Sequence, residues 1–271
     1  MPSVSNIAIG ANMAAAAATK ARHGMNESIA RLSTGMRAMY GADAAGHSMG
    51  KSIQAIGASY AQATRNIEDG ISYAQMGESV LLEVGNLAQR IRELAITADN
   101  DAIIDDNQMA ALNSEVEDIG DTIDFMLTNT KFNGVAVVDS ASAQQVNVAY
   151  GSLTANTHSV GPNVSITAVN TLTAAAGAES NADTLLAEVS KSLGNIAADL
   201  SALKAFQGAA SATSANMAAA GARLIDTDFA LETASLTKNT ILNQAALAMA
   251  CLLYTSPSPR DAHESRMPSS A

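Results

Sequence analysis

The side chains that could perform chemistry in this sequence are carboxylates, histidines and one cysteine. Two close carboxylate pairs, Asp105–Asp106 and Asp226–Asp228, have the residue type that general acid–base catalysis uses. No histidine lies near either pair in the sequence, and aspartates next to asparagine or threonine are typical of helix caps and turns. We therefore predict capping roles for both pairs, no catalytic residue and no enzyme activity.

Metal and cofactor binding are not predicted either. A single cysteine and four scattered histidines lack the spacing of metal ligands. The histidines are His23, His47, His158 and His263. A glycine-rich segment precedes Lys51 and Ser52, but its spacing differs from that of a phosphate-binding loop. Its glycines, together with one before it, instead predict a bend that interrupts a helix: Gly35, Gly41, Gly46 and Gly50.

The composition favours long helices over a globule with a large aromatic core. Of 271 residues, 48% are hydrophobic but only 3% are aromatic, so alanine, aliphatic side chains and methionine must provide the burial. The net charge of −11 argues against nucleic-acid binding. Eleven acidic residues and only two basic ones lie between Glu83 and Asp124, which predicts a solvated midsection.

Neither a membrane span nor a cleaved signal is predicted. The sequence has no run of about 18 apolar residues, the length needed to cross a bilayer. Met1 to Val4 do not begin a basic stretch followed by an apolar core, as a secretory signal would. We expect a cytosolic protein, or one that is exported by a route without such a signal.

Three segments have apolar residues in alternating steps of three and four, which predicts long amphipathic helices packed at a shallow angle. The three sets are Val80, Val84, Leu87, Ile91 and Leu94; Met109, Leu112, Val116, Ile119, Ile123 and Met126; and Leu186, Val189, Leu193, Ile196, Leu200 and Leu203. An Asp- and Asn-rich stretch predicts a break near Asp99 to Asp106. Asn133–Gly134 predicts a tight turn after the second of these helices.

The remaining segments differ from these helices. Loose alternation between 135 and 173, as in Gln145–Val148 and Val164–Thr167, predicts short strands. Helix is predicted again from about Asp183 to Ala222, and a last helix to about Ala250. Both chain ends are Ala-rich and neither has a full apolar face, so we predict that they pair with each other.

Four stretches together resemble bacterial flagellin, the subunit of the flagellar filament. They are Arg31–Arg37 with Ala42–Gly46, Asn66–Ser72 through Gln89–Ala95, Thr130–Gly134, and Ile225–Ala230 through Ala245. They follow the order of the family's motifs from one end of the chain to the other. The residues that match the signatures are Arg31, Leu32, Gly35, Asp43, Gly46, Phe132, Asn133, Gly134, Asp226, Asp228, Lys238 and Asn239.

The resemblance implies a mainly α fold: a long antiparallel, coiled-coil-like core from both chain ends, with a small β-rich insert. It implies an extracellular filament subunit for swimming motility, with terminal segments that order on polymerisation. The implied partners are copies of itself or sibling flagellins, the flagellar type III export apparatus, a flagellin chaperone, and the hook-junction and cap proteins. Two alternatives stay open, a hook–filament junction protein and a cytosolic helical adaptor.

The same resemblance suggests a division of the chain. We expect an inner-tube helix over 1–40, the core over 41–134 and 183–222, a variable insert over 135–182, and a truncated inner-tube helix over 223–250. Residues 251–271 contain three of the five prolines and the cysteine, and they resemble translated adapter sequence. We expect this tail to be non-native.

One charged surface has two interpretations besides that of an ordinary solvated face. It comprises Arg90, Arg92, Glu93, Leu94 and Glu115. The resemblance implies a contact between filament subunits there. In some flagellins it is also the surface that the host Toll-like flagellin receptor binds, and Arg90, Leu94 and Glu115 match that pattern.

Overall fold

A computed structural model describes residues 6–37, 43–100, 103–139, 142–151, 156–166 and 174–255. These residues form two compact units, one of residues 55–218 and one of the segments up to 54 and from 219. The helices are α1 (Asn6–Thr34), α2 (Ala44–Ala98), α3 (Asp106–Asn129), α4 (Ala178–Ile225) and α5 (Phe229–Thr255). The strands are β1 (Lys131–Phe132), β2 (Val135–Ala136), β3 (Val146–Ala149) and β4 (Thr157–Val160). The predicted mainly α fold with a small β-rich insert is confirmed.

The core of the 55–218 unit is built from the three predicted apolar stripes. Within it, Ile91 of α2, Ile123 of α3 and Ile196 of α4 are buried. Leu87, Leu112 and other members of the stripes are partly buried against this cluster. Steps of three and four keep these side chains on one face of each helix, so three long helices can share one core.

Local chemistry determines where α2, α3 and the first hairpin end. The predicted break is confirmed, because α2 ends at Ala98 and α3 begins at Asp106. At the start of α3, the Asp105 N–H donates to Gln108 Oε1 at 3.3 Å. Asn133 and Gly134 have φ angles of 50° and 82°, which make the tight turn between β1 and β2.

Both hairpins are attached to the helices of this unit. The Tyr73 hydroxyl of α2 donates to the Ala136 carbonyl at 3.1 Å. The antiparallel β3–β4 hairpin places Val148 against Gly70 of α2, where a Cβ would lie 2.7 Å from the valine Cγ2. Tyr150, which directly follows β3, stacks on Phe206 of α4 with ring centroids 4.3 Å apart.

The strand expected at Val164–Thr167 is wrong for the residues that are described. Residues 164–166 have no strand partner, and Thr167 lies outside the described residues. Ile166 is instead buried in the core, and its N–H donates to the Asp139 carbonyl at 3.3 Å. The burial of Ile166 holds this segment in place, so the segment needs no hydrogen bonds to a neighbouring strand.

The predicted helix-interrupting bend is also wrong in part, because Gly46 and Gly50 lie inside α2. Asp43 precedes the helix, and its Oδ1 accepts the Gly46 N–H at 3.1 Å as a cap. At Gly50 a Cβ would lie 2.5 Å from Ile225 Cγ1, so glycine permits a close approach there. Gly41 lies outside the described residues.

Two helices extend past their predicted ends. α4 begins at Ala178 because Ala178, Ala182 and Leu185 continue its buried stripe towards the N-terminus. α5 continues to Thr255, five residues beyond Ala250, and therefore includes the first residues of the expected tail. Residues 256–271 of that tail lie outside the described part of the chain.

Candidate assembly surfaces

The two Ala-rich ends of the chain pair as α1 and α5, as predicted. The inner face of this pair is built mainly from small and polar residues. On α1 the buried and half-buried positions in steps of three and four are Ala11, Ala14, Ala18, Ala21, Met25, Ser28 and Leu32. On α5 they are Glu232, Ser235, Leu236, Asn239, Thr240, Asn243 and Ala246.

Most of the large apolar side chains described on the same two helices are exposed. They are Ile9, Met13, Ile29, Phe229, Leu231, Ile241, Leu242, Leu247, Met249 and Leu252. Met13, Leu242 and Met249 line a groove of about 950 Å³ between α1 and α5, with Lys20 and Lys238 also in its lining. A soluble helix pair normally turns its large apolar residues inward. This pair therefore has apolar area left to bury against something else.

The segments that connect α1 to α2 and α4 to α5 meet in what we call the connector clasp, residues 35–37 with 225–227. Gly35 ends α1 with a φ of 69°, and its carbonyl accepts the Thr227 N–H at 2.9 Å. The Arg37 N–H donates to the Ile225 carbonyl at 2.8 Å. Two backbone hydrogen bonds therefore join stretches that lie about 190 residues apart in the chain.

Charged side chains surround the connector clasp. Arg31 Nη1 lies 3.5 Å from Glu232 Oε1, and Glu232 is only 9% exposed. Asp228 Oδ1 caps α5 by accepting the N–H groups of Ala230 at 2.9 Å and Leu231 at 3.2 Å. These contacts bring the N-terminal and C-terminal signatures into one site.

The other signature residues are divided between the two units. Leu32 and Asn239 lie in the inner face of the α1–α5 pair, and Asp226 pairs with Met36 in an antiparallel bridge. Asp43, which caps α2, also pairs with Arg37. Phe132, Asn133 and Gly134 form the β1–β2 hairpin of the 55–218 unit.

The predicted charged surface separates into two arrangements. Arg90 contacts α3 through Glu115, with Nη2 and Oε1 2.7 Å apart, and it also pairs with Glu93 at 3.3 Å. The hydrogen bond to Glu115 is the main cause that raises the pKa of Arg90. Arg92 contacts α4 instead, with its Nε 2.8 Å from Asp183 Oδ1. Asp183 raises the pKa of Arg92 in the same way.

Leu94 does not belong to that surface, which corrects the prediction. It is 4% exposed and lies in the core of the 55–218 unit. The reason is its position three residues after Ile91, on the inward stripe of α2. Arg90, Glu93 and Glu115 therefore form the exposed patch without an apolar centre from Leu94.

Sequence reasoning missed two features of these surfaces. One is the Arg31–Glu232 ion pair, although opposite charges in the two signature motifs could have suggested it. The other is the outward direction of the large residues of α5. The apolar residues of α5 are distributed around the helix and not along one side, so periodicity does not indicate which face is buried.

Neither metal ligation nor a membrane span is found in the described parts of the chain. No three histidine, cysteine or carboxylate side chains come together there as they would around a metal ion. Likewise, no described helix combines the length and apolar character that crossing a bilayer requires.

The sequence comparisons with known proteins identify flagellins. Residues 5–143 match the family model of the bacterial flagellin N-terminal helical region. The chain is 32% identical over 230 residues to flagellin of Halalkalibacterium halodurans, covering 81% of this chain and 84% of that protein. It is 28% identical over 260 residues to flagellin of Bacillus subtilis, covering 81% and 86%. A crystal structure of Bacillus cereus flagellin aligns with 56% of this chain and 88% of that chain, at 20% identity and a TM-score of 0.41.

The helical core and the family match define a structural protein that self-assembles. The chain belongs to the bacterial flagellin family. It is a structural subunit of the extracellular flagellar filament, and swimming motility is the function that the family implies. The resemblance noted in the sequence is thereby confirmed, and the adaptor alternative is set aside.

Proposed function

We propose that this chain polymerises by burying the outer face of the α1–α5 pair against neighbouring subunits. The observation that supports this proposal is the distribution of side chains in the pair: the inner face is mostly alanine, serine, threonine and asparagine, and most of the large apolar side chains described on the two helices are exposed. A contact between two different surfaces that does not close on itself produces an open helical polymer. Each Å² of apolar area removed from water contributes roughly 25 cal/mol.

The same arrangement, with mostly small residues between the helices, also explains how the protein could stay soluble before assembly. Fixing the backbone costs about 1–2 kcal/mol per residue. The small residues between α1 and α5 bury little apolar area to offset that cost. We infer that the two end helices are marginal in the isolated subunit and become ordered when neighbours cover Leu242, Met249 and the other exposed apolar residues.

Family membership supports the remaining partners. We propose that the type III export apparatus carries the chain out of the cell without a cleaved signal, with a flagellin chaperone protecting the apolar ends beforehand. Hook-junction and cap proteins would then contact the growing filament. Each of these partners has the same physical requirement, which is an accessible α1 or α5.

Deletion of residues 1–30 tests the assembly proposal. The variant should form no filaments in negative-stain images or in the sedimented fraction, because α5 loses the helix it pairs with. Circular dichroism should still report the α2, α3 and α4 helices of the 55–218 unit. Long filaments from the deleted chain would refute the proposal.

We further propose that the Arg90 patch contacts a neighbouring subunit. Arg90 is half exposed and held in place by Glu93 and Glu115. Burial of Leu94 favours this role over receptor binding, since the receptor pattern includes that side chain. An Arg90→Glu variant should polymerise poorly, and Arg90→Lys, which keeps the charge, should polymerise better. Normal polymerisation of Arg90→Glu with loss of host-receptor signalling would assign the patch to the receptor instead.

A further inference from the structure

The contacts of the α1–α5 pair that specify its alignment lie in the half nearest the connector clasp. The Asn239 side chain occupies the space beside Gly24, where a Cβ would meet its Nδ2 at 2.7 Å. Thr240 Oγ1 lies 3.7 Å from Met25 Sδ, while its hydroxyl donates to the Leu236 carbonyl at 2.8 Å. With the Arg31–Glu232 ion pair, these contacts define one antiparallel register. Extended along both helices, this register brings Ala18 opposite Ala246.

The other half of the pair is nearly uniform. Its inner positions on α1 are Ala11, Ala14, Ala18 and Ala21, and those on α5 end with Ala246 and Ala250. Sliding one helix by seven residues would therefore place alanine on alanine again. Asn243 does not prevent this movement, because its Oδ1 is buried without a hydrogen-bond partner among the described residues.

We propose that the Arg31–Glu232 ion pair, which lies beside the connector clasp, is the register lock of the terminal helices. The ion pair discriminates between registers because Glu232 Oε1 is buried and accepts no hydrogen bond among the described residues, so its charge is compensated by Arg31 Nη1 at 3.5 Å. A seven-residue slip would leave its carboxylate in the interface without Arg31, and an unpaired buried charge is strongly disfavoured. A polar or charged group among apolar ones is an established device for fixing the register of paired helices. Arg31 and Glu232 are thus positioning residues for the face that assembles.

The lock predicts which engineered disulfides can form. With Cys251→Ser throughout, Ala18→Cys with Ala246→Cys reports the observed register. Ala11→Cys with Ala246→Cys reports the slipped one, because a seven-residue shift moves the helix by about 10.5 Å. That distance is well beyond the reach of a disulfide from the other register. Oxidation is carried out on sedimented polymer, where neighbouring subunits order both ends under the proposed function.

The ion pair is removed with Arg31→Met and Glu232→Met together, since apolar replacement of both partners leaves no unpaired charge. The yield of the slipped disulfide should rise about tenfold or more, because the slipped register of the parent leaves the Glu232 carboxylate buried and unpaired and the double-methionine variant removes that penalty. The charge-swapped variant, Arg31→Glu with Glu232→Arg, should return it to the parent value. An unchanged slipped yield in the double-methionine variant overturns the lock, as does a slipped register in the swapped variant.

Failure of the lock and failure of the proposed assembly route are distinguishable. If the double-methionine variant does not polymerise, the swapped variant decides: polymer in the observed register supports the lock, and polymer in the slipped register refutes it. The assembly proposal is wrong if the parent chain forms no polymer with either of the two cysteine pairs. In that case both disulfides are measured on the soluble chain. The lock is overturned if the ratio of the slipped to the observed disulfide is the same in the parent and in the double-methionine protein.

Discussion

Replacing Leu242 and Met249 by serine should weaken assembly by an amount that the structure allows us to calculate. The two side chains are 49% and 56% exposed, so about half of each remains to be buried by a neighbour. Full burial of a leucine or methionine contributes about 1.5–3 kcal/mol, and half of that for two residues is about 1.5–3 kcal/mol in total. Because 1.4 kcal/mol is a factor of ten, the critical concentration for polymerisation should rise about ten- to a hundredfold.

The assay is sedimentation of polymer over a series of total protein concentrations, with the soluble plateau giving the critical concentration. The control exchanges the two residues, Leu242→Met with Met249→Leu, and keeps the apolar area. Its critical concentration should stay within about threefold of the parent value, since such volume-conserving changes cost little. If the serine variant and the control have the same critical concentration, the groove is not an assembly surface and the reasoning from exposure is wrong.

Two other predictions concern the 55–218 unit. Gly70→Ala should lower the urea midpoint of unfolding, because the new Cβ would lie 2.7 Å from Val148 Cγ2. Gly194→Ala is the control: nothing lies within 4 Å of its Cβ, so the free energy of unfolding should rise by about 1 kcal/mol. A higher urea midpoint in both variants would contradict the Gly70–Val148 contact. Burial raises the pKa of Tyr73, so the folded state favours the neutral phenol. The contribution of Tyr73 to stability should therefore be fully present below the ordinary tyrosine pKa, and it should be lost as the pH rises through the raised pKa of the folded state. Urea unfolding above about pH 10 should therefore be less pH-dependent for Tyr73→Phe than for the parent, and identical slopes would contradict this origin of the pH dependence.

The sequence by itself determined the features that depend on neighbouring residues. Steps of three and four placed Ile91, Ile123 and Ile196 in the core, since helical periodicity is local. Asn133–Gly134 indicated the hairpin turn because these residues accept positive φ angles. The signature motifs at both ends indicated the flagellin family before any contact between them was known.

Only the tertiary structure decided which distant groups meet. Gly46 and Gly50 looked like helix breakers, yet they lie inside α2, where Asp43 caps the first turn and Ile225 requires the space. The Arg31–Glu232 pair joins residues about 200 positions apart, which no local pattern encodes. The exposed face of α5 was equally hidden, because an apolar sequence with little periodicity acquires an inside and an outside only when α1 packs against one side of it.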